Sequence, residues 1–418
     1  MTISIRGETN TPFVFPLFNL KLKPYVFECK IFSMGSEVLV KELVNKELHL
    51  RFFDLYTVIR SDSDEFIDLF AQMYRRFRAD SASSTAPSTA EFVLITNPDN
   101  QWGKPVIILN GEVCPLSDSK LIEGYAYETI LISIITRIRS HILIHAGVVS
   151  RNGQGIIVVA DSRHGKTTLV LELVRRGFRF LSDEMAALGR TDHKVHPFPR
   201  SLRVRPGTLE LAGFPVAAVD ARRWLGKLIL DIEEIQPDSM GEVSSISHIV
   251  FLQDPLENKT ETLSHKQEIT ILVDRLEETL LSGISQIEGV TDVEAGVDCS
   301  YPAITLRAIR TTYALLQIET LCKKHNILVL DVVKGVEGSP AFDLPARLEV
   351  LPKSQAVVEI LKRFQGGYKS ELLQAEFGGS AAQLFMEVSS LINQANCYQL
   401  FVGRLNDMAD LVCSMAGV

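Results

Sequence analysis

The spacing of apolar residues along the chain changes most sharply between Gly155 and Glu184. Ile156, Ile157, Val158 and Val159 form a short continuous apolar run, the pattern of a strand buried on both faces. A polar stretch follows, Asp161-Ser162-Arg163-His164-Gly165-Lys166-Thr167-Thr168. Apolar positions then recur at Leu169, Val170, Leu173 and Val174 with helical spacing, up to a stop at Gly177. Phe178 to Leu181 reads as the next strand, with Asp183 and Glu184 at its C-terminal end.

The same reading predicts the remaining elements. Phe13 to Phe32 holds alternating and aromatic runs suited to strands, and Glu65 to Arg78 is an amphipathic helix. Asp80 to Ala90 is rich in Ser, Thr, Ala and Pro and reads as a flexible loop or linker. Phe92 to Thr96 and Val106 to Leu109 are strands, with Asn97-Pro98-Asp99-Asn100 as turn chemistry between them. Glu123 to Ser140 reads as a long helix. Ile269 to Leu281 is apolar and helical in its second half, Tyr301 to Lys324 is a long helix, and Ile327 to Val333 is a buried strand. Ser354 to Val418 carries two or three amphipathic helices and a strand at Tyr398 to Val402.

With 418 residues the chain is long enough for two or three domains. Its 46% hydrophobic and 22% charged content is that of an ordinary globular protein, and a net charge of −8 argues against a general binder of nucleic acid or anionic membrane. The cysteines at 29, 114, 299, 322, 397 and 413 show no metal-ligand spacing and read as buried free thiols. The beginning of the chain lacks the pattern of a signal peptide, and Thr129 to Val149 is interrupted by Arg137, Arg139 and His141, so a cytoplasmic protein is expected. The basic cluster Arg75, Arg76 and Arg78 fits a solvated helix face or an acidic partner. Glu261, Asp292, Glu294 and Asp298 lack a calcium-loop pattern and read as surface charge.

Strand, polar loop with Gly-Lys-Thr, then helix is the context of a phosphate-binding loop. Backbone N–H groups and the helix dipole hold phosphate oxygens there, the lysine reaches the outer phosphates, and the hydroxyl meets Mg²⁺. Ala160 stands where the GxxxxGK[ST] pattern has its first glycine. His145 follows the apolar run Ile142 to Ile144, a place where a histidine ordinarily ends a strand. Arg200, Arg203 and Arg205 surround a short alternating segment that puts 203 and 205 on one face, a geometry that suits phosphate contacts or solvated strand charge equally.

Several of these stretches resemble HPr kinase/phosphorylase and its relatives. They are His145-Ala146-Gly147-Val148-Val149, the loop ending in Gly165-Lys166-Thr167-Thr168-Leu169, Arg176 to Asp183, His196-Pro197-Phe198-Pro199-Arg200, Ile246 to Gln253, and Cys397 to Val412. The likeness is closer to HPr-kinase-related proteins of biosynthetic clusters for ribosomally made peptides, including lasso-peptide kinases. It covers about 125–253 and 346–418.

The resemblance implies an α/β fold: a P-loop core with a mixed sheet and flanking helices over 125–253 and 346–418. A separate N-terminal α/β region, 1–124, would serve substrate recognition or oligomer contact, and 254–345 would be an inserted small α/β subdomain acting as lid, acceptor platform or interface. It also implies an ATP- and Mg²⁺-dependent kinase that phosphorylates a hydroxyl, a Ser or Thr of a peptide or small protein such as a precursor peptide. Asp183 would be the base, Lys166 the phosphate cation, and His145 a polar group beside the phosphates. Asp161 to Thr168 with Arg200 would bind nucleotide, and Thr167 with Glu184, where many relatives have a second aspartate, would hold the metal. A small-molecule kinase and a non-catalytic nucleotide-binding scaffold remain open, as does a homo-oligomer.

Overall fold

The computed structural model describes residues 30–31, 44, 46–80, 88–115, 122–160, 164–204, 206–214, 222–224, 227–253, 267–298, 301–309, 311–325, 327, 329–336, 344–362 and 381–417. The fold is mixed α/β, with its strands gathered into separate sheets.

The first sheet holds β1 (Lys30–Ile31), β2 (Lys46–Phe52), β3 (Leu55–Ser61), β4 (Ser88–Ile95), β5 (Val106–Leu109) and β6 (Glu112–Pro115), in the order β1-β6-β5-β4-β3-β2. All its pairs are antiparallel except β3 with β4, which are joined by a crossover through helix α1 (Asp64–Met73). Ser63 starts α1 by accepting from the Phe66 N–H, and Asp64 and Glu65 favour its positive end. Phe66, Ile67, Leu69, Phe70 and Met73 are buried along it. The expected helix Glu65 to Arg78 is thus shorter: it stops at Met73 and passes into a single 3₁₀ turn, Arg75–Phe77.

Ser88 to Ala90, expected to be linker, are instead the start of β4, because their backbones pair in register with Leu55 to Thr57. The preceding residues 81–87, and the expected strands before Lys30, lie outside the described residues. Helix α2 (Ile122–Ile135) ends earlier than the predicted Ser140.

The central sheet is built from β7 (His141–Arg151), β8 (Gln154–Val159), β9 (Arg179–Ser182), β10 (Met185–Gly189), β11 (Lys194–His196), β15 (Ser244–Gln253), β20 (Arg347–Val350) and β21 (Asn396–Phe401). Its order is β11-β10-β7-β8-β15-β21-β20, with β9 paired to β7. β8, β15 and β21 run parallel at its middle, and the flanking pairs are antiparallel, so the sheet is mixed.

Alternation along β8 explains the layers. Ile156 and Val158 face one core with helices α3 (Lys166–Arg175) and α10 (Leu405–Met415). Ile157 and Val159 face another core with α8 (Lys353–Lys362) and α9 (Ala381–Asn393). A small sheet, β12 (Leu202–Val204), β14 (Lys227–Leu230) and β13 (Arg222–Trp224), packs with α4 (Pro206–Leu211) and α5 (Ile232–Ile235) beside α3.

Between β15 and β20 the chain forms a sheet of its own: β16 (Gln267–Val273), α6 (Glu278–Ser285), β17 (Val290–Asp298), β18 (Tyr301–Ala308), α7 (Thr311–Lys324) and β19 (Val329–Val336). The order β17-β18-β16-β19 with βαββαβ succession is the split-βαβ arrangement. The expected long helix at Tyr301 to Lys324 is corrected here. Ile304, Leu306 and Ala308 are buried at period two as β18, and the helix begins only at Thr311. Asp292 and Glu294 are exposed on β17, and Asp292 pairs with Arg307. Glu261 lies outside the described residues.

The first sheet is packed into the central one. Phe52, Phe70, Tyr74 and Phe77 share one buried cluster with Tyr127 of α2, Leu143 of β7, Met185 and Ala187 of β10, Phe198 and Ile229. Cys114 is disulfide-bonded, which corrects the expectation of free thiols, because pairing between strands brings together residues whose sequence spacing gives no hint of it. Cys322, Cys397 and Cys413 form no disulfide, and Cys29 and Cys299 lie outside the described residues. Among the described residues no helix is long and apolar enough to cross a membrane.

Candidate active site

β8 delivers the chain to Ala160, whose methyl is buried in the core beneath α3, so the missing first glycine of the loop pattern is a packing residue. Asp161, Ser162 and Arg163 lie outside the described residues. His164 is half-buried, and Gly165 then enters α3 with φ 80°, a left-handed conformation that suits glycine. The Gly165 carbonyl accepts from the Leu169 N–H, which leaves the first amides of α3, on Lys166, Thr167 and Thr168, at the positive end of the helix dipole. Thr167 and Thr168 are half-buried.

β7 gathers the rest of the site. Its first half pairs with β10 so that His145 stands opposite Met185, and the Ala146 N–H donates to the Glu184 carbonyl. Its second half pairs with β9, Val148 opposite Ser182. The corner Asp183-Glu184 therefore lies across from residues 145–148. Buried Ser182 fixes that corner, its Oγ accepting from the amides of Glu184 at 3.2 Å and Met185 at 2.9 Å. Gly147 lets α3 lie against β7, since a Cβ there would come within 2.6 Å of Val170 Cγ2 and 3.5 Å of Lys166 Cγ.

The side chains converge across this corner. Lys166 is 9% exposed, and its Nζ lies 3.1 Å from His145 Nε2. An ammonium has only donors, so the ring nitrogen accepts and the neutral imidazole carries its proton on Nδ1. That atom faces Glu184 Oε1 at 3.5 Å. Glu184 Oε2 accepts from buried Arg200 Nη2 at 2.7 Å. Asp183 is only 2% exposed, and among the described residues its Oδ1 has no hydrogen-bond partner.

The two carboxylates are driven apart in acidity. Burial pushes Asp183 up, helped by the Glu184 charge and opposed by Arg200 and Lys166. Burial also acts to raise Glu184, but Arg200 outweighs it, with Lys166 and Arg203, and holds that carboxyl well below the usual range. Burial lowers the Lys166 ammonium against the pull of Glu184 and Asp183. Neighbouring carboxyls pushed in opposite directions are the arrangement of one group that exchanges a proton beside one that stays charged.

The structure thus brings Lys166, His145, Asp183, Glu184 and Arg200 together, with Thr167 and Thr168 at the helix start. Arg203 lies in β12 with its guanidinium 4.6 Å from the Trp224 ring and 5.7 Å from that of Tyr127. Arg205 lies outside the described residues. Sequence reasoning missed Ser182 as the corner's anchor, and it missed Tyr74, Tyr127 and Trp224 around the arginines. Nothing in their spacing signals a place near the site.

Among the described residues no cluster of three or more His, Cys, Asp or Glu forms a metal cage. The oxygen donors present, a helix-start hydroxyl and one or two carboxylates, instead fit a hard cation that takes most of its ligands from phosphate and water. The Asp183 oxygen without a partner among the described residues and the amides at the start of α3 fit a phosphate-bearing ligand with a proton to give up.

No protein-family model matches the chain, and no curated protein matches it. Among solved structures it is similar to the HPr(Ser) kinase/phosphatase from Coxiella burnetii, weakly, at 15% identity, covering 44% of this chain and 95% of that one with a TM-score of 0.20.

Proposed function

We propose that the chain is an ATP-dependent kinase that phosphorylates a hydroxyl, a Ser or Thr of a peptide or small protein. The observation that carries this reading is Asp183: a buried carboxylate with an unpartnered oxygen and a raised pKa, beside a buried lysine at the start of a glycine-initiated helix.

In the reaction the acceptor oxygen forms a bond to the γ-phosphorus while the bond from that phosphorus to the β,γ-bridging oxygen breaks. The electron pair leaves with ADP, and the hydroxyl proton passes to Asp183. Burial makes Asp183 a stronger base than an exposed aspartate. Lys166 turns from His145 to the outer phosphates, and the amides of 166–168 receive phosphate oxygens. Thr167 and Glu184 fit Mg²⁺, which when bound supplies charge neutralisation on the phosphates. Arg200 keeps Glu184 ionised for that purpose. In this reading 125–253 with 346–418 is the catalytic core, flanked by 1–124 and interrupted by 254–345.

Nucleotide titration and turnover of two variants test the assignment. Asp183→Asn is expected to bind ATP as the native protein does and to lose transfer by at least about 10²-fold, the scale of a removed general base. Lys166→Ala is expected to lose affinity and turnover together; unchanged nucleotide affinity in that variant would refute the phosphate-loop assignment.

A further inference from the structure

Arg200 orients Glu184, and the structure shows what orients Arg200. The next residue, Ser201, is tied to the end of α1: its N–H donates to the Met73 carbonyl at 2.8 Å and its Oγ to the Gln72 carbonyl at 2.7 Å. Two residues earlier, Phe198 packs among Phe52, Phe53 and Phe77, while its N–H donates to the Leu181 carbonyl at 3.0 Å, beside the Asp183-Glu184 corner. Tyr74, at the end of the same helix, shares a 3.1 Å contact between hydroxyls with Tyr127, and both rings lie near the Arg200 charge.

The 3₁₀ turn that follows completes the grip. β12 pairs with β14, Leu202 opposite Leu230, so Asp231 sits beside Ser201. Asp231 is buried and takes Arg75 Nε at 2.7 Å, Arg76 Nε at 3.0 Å and Arg76 Nη2 at 2.6 Å, while its Oδ1 also caps α5 through the Glu233 amide. Glu233 and Glu234 take further bonds from Arg76 and Arg75. Two members of a basic cluster that reads in sequence as solvated or partner-facing, Arg75 and Arg76, stay on the surface yet are paired within the chain, to Asp231 at the end of β14 and to Glu233 and Glu234 of α5.

We propose that Arg75 and Arg76, clamped on Asp231, are positioning residues for phosphoryl transfer: the end of α1 sets the 198–204 segment and through it the Arg200 contact to Glu184. The proposal rests on the kinase reading. It gives the N-terminal sheet a part in building the active site, beyond substrate recognition or oligomer contact. Forked guanidinium-carboxylate pairs suit this, because they fix angle as well as distance.

The test compares kcat and the KM for ATP in the Arg75→Ala/Arg76→Ala double variant, normalised to folded protein. Emission of Trp224, which stacks against Arg203, is read alongside in a Trp102→Phe background. The expected result is a kcat lower by about 10- to 100-fold, the scale of a displacement near 1 Å, with KM within about twofold. Trp224 emission changes, and kcat partly recovers when Lys replaces Ala at 76. Asp231→Asn, close to isosteric, serves if the double variant does not fold, with the same split expected. A kcat per folded molecule equal to that of the native protein overturns the positioning role and leaves the clamp a structural tie. If the native protein turns over no nucleotide, the kinase reading falls by itself. Trp224 emission then decides the clamp, and an unchanged spectrum overturns it.

Discussion

At Asp183 the chain accepts a cost that Arg200 and Lys166 relieve only in part. The carboxyl is buried, one oxygen lacks a partner among the described residues, and its folded pKa lies above the ordinary value. Below the unfolded pKa the group is neutral in both states and costs nothing; as pH rises through the folded pKa, ionisation costs the native state more than the unfolded one. Asp183→Asn is therefore expected to melt at a higher temperature than the native protein at pH 7, with the gain shrinking as pH falls through the raised folded pKa and gone below about pH 4, where the unfolded aspartate is protonated as well. Thermal unfolding at several pH values checks it, and an Asn variant less stable at pH 7 would contradict the net cost of burial. Glu184 has the opposite sign, held low by Arg200, so its contribution is present at neutral pH and lost in acid. The sequence shows both acidic residues at a strand end but not their unequal environments, because Arg200 reaches them across a fold, sixteen positions on from Glu184.

Among the elements, the buried strand β8 and the helix α3 were legible because each has its own period and the stop at Gly177 is local. Tyr301 to Lys324 misled because a strand of alternating apolar residues runs into a helix with almost no polar break, and only pairing with β16 and β17 separates them. The contact of α3 on β7 is likewise tertiary, and it passes through Gly147. Gly147→Ala places a methyl 2.6 Å from Val170 Cγ2. It is expected to destabilise by about 1–3 kcal/mol, the usual cost of overpacking, and to weaken nucleotide binding by moving Lys166. Chemical denaturation and nucleotide titration measure both effects, and Val170→Ala in the same chain should restore them. An additive double variant would place the strain elsewhere.

For the whole molecule, the N-terminal sheet and the split-βαβ sheet stand in different relations to the central one. The former shares a core with it through Phe198, Met185 and Ile229. The latter has a core of its own, from Ile269, Ile271, Ile304, Leu306 and the inner face of α6 and α7. Its flanking residues return to one place: the Val402 N–H donates to the Gln253 carbonyl and the Arg404 N–H to the Leu344 carbonyl, at 2.9 and 2.8 Å. Replacing 254–343 by a short Gly/Ser linker is therefore expected to leave a folded protein with native nucleotide affinity, whereas removal of 1–124 is expected to expose the aromatic cluster and cause aggregation. Calorimetry and gel filtration of the two deletions decide this, and a soluble, cooperative 125–418 fragment would contradict the shared core. The limits of the family resemblance set both regions apart from the expected core, yet only packing tells which of them shares a core with the central sheet.

The central claim is phosphoryl transfer at Asp183, and one measurement reaches it most directly. The purified protein is incubated with γ-labelled ATP, Mg²⁺ and an extract of its source organism, with Asp183→Asn in parallel, and label is separated by size. The account predicts label in a peptide or small protein that is absent with the variant, on a Ser or Thr found by mass spectrometry. Label confined to small metabolites would contradict the acceptor class. Label of equal amount with both proteins, or none that depends on either, would contradict the kinase itself.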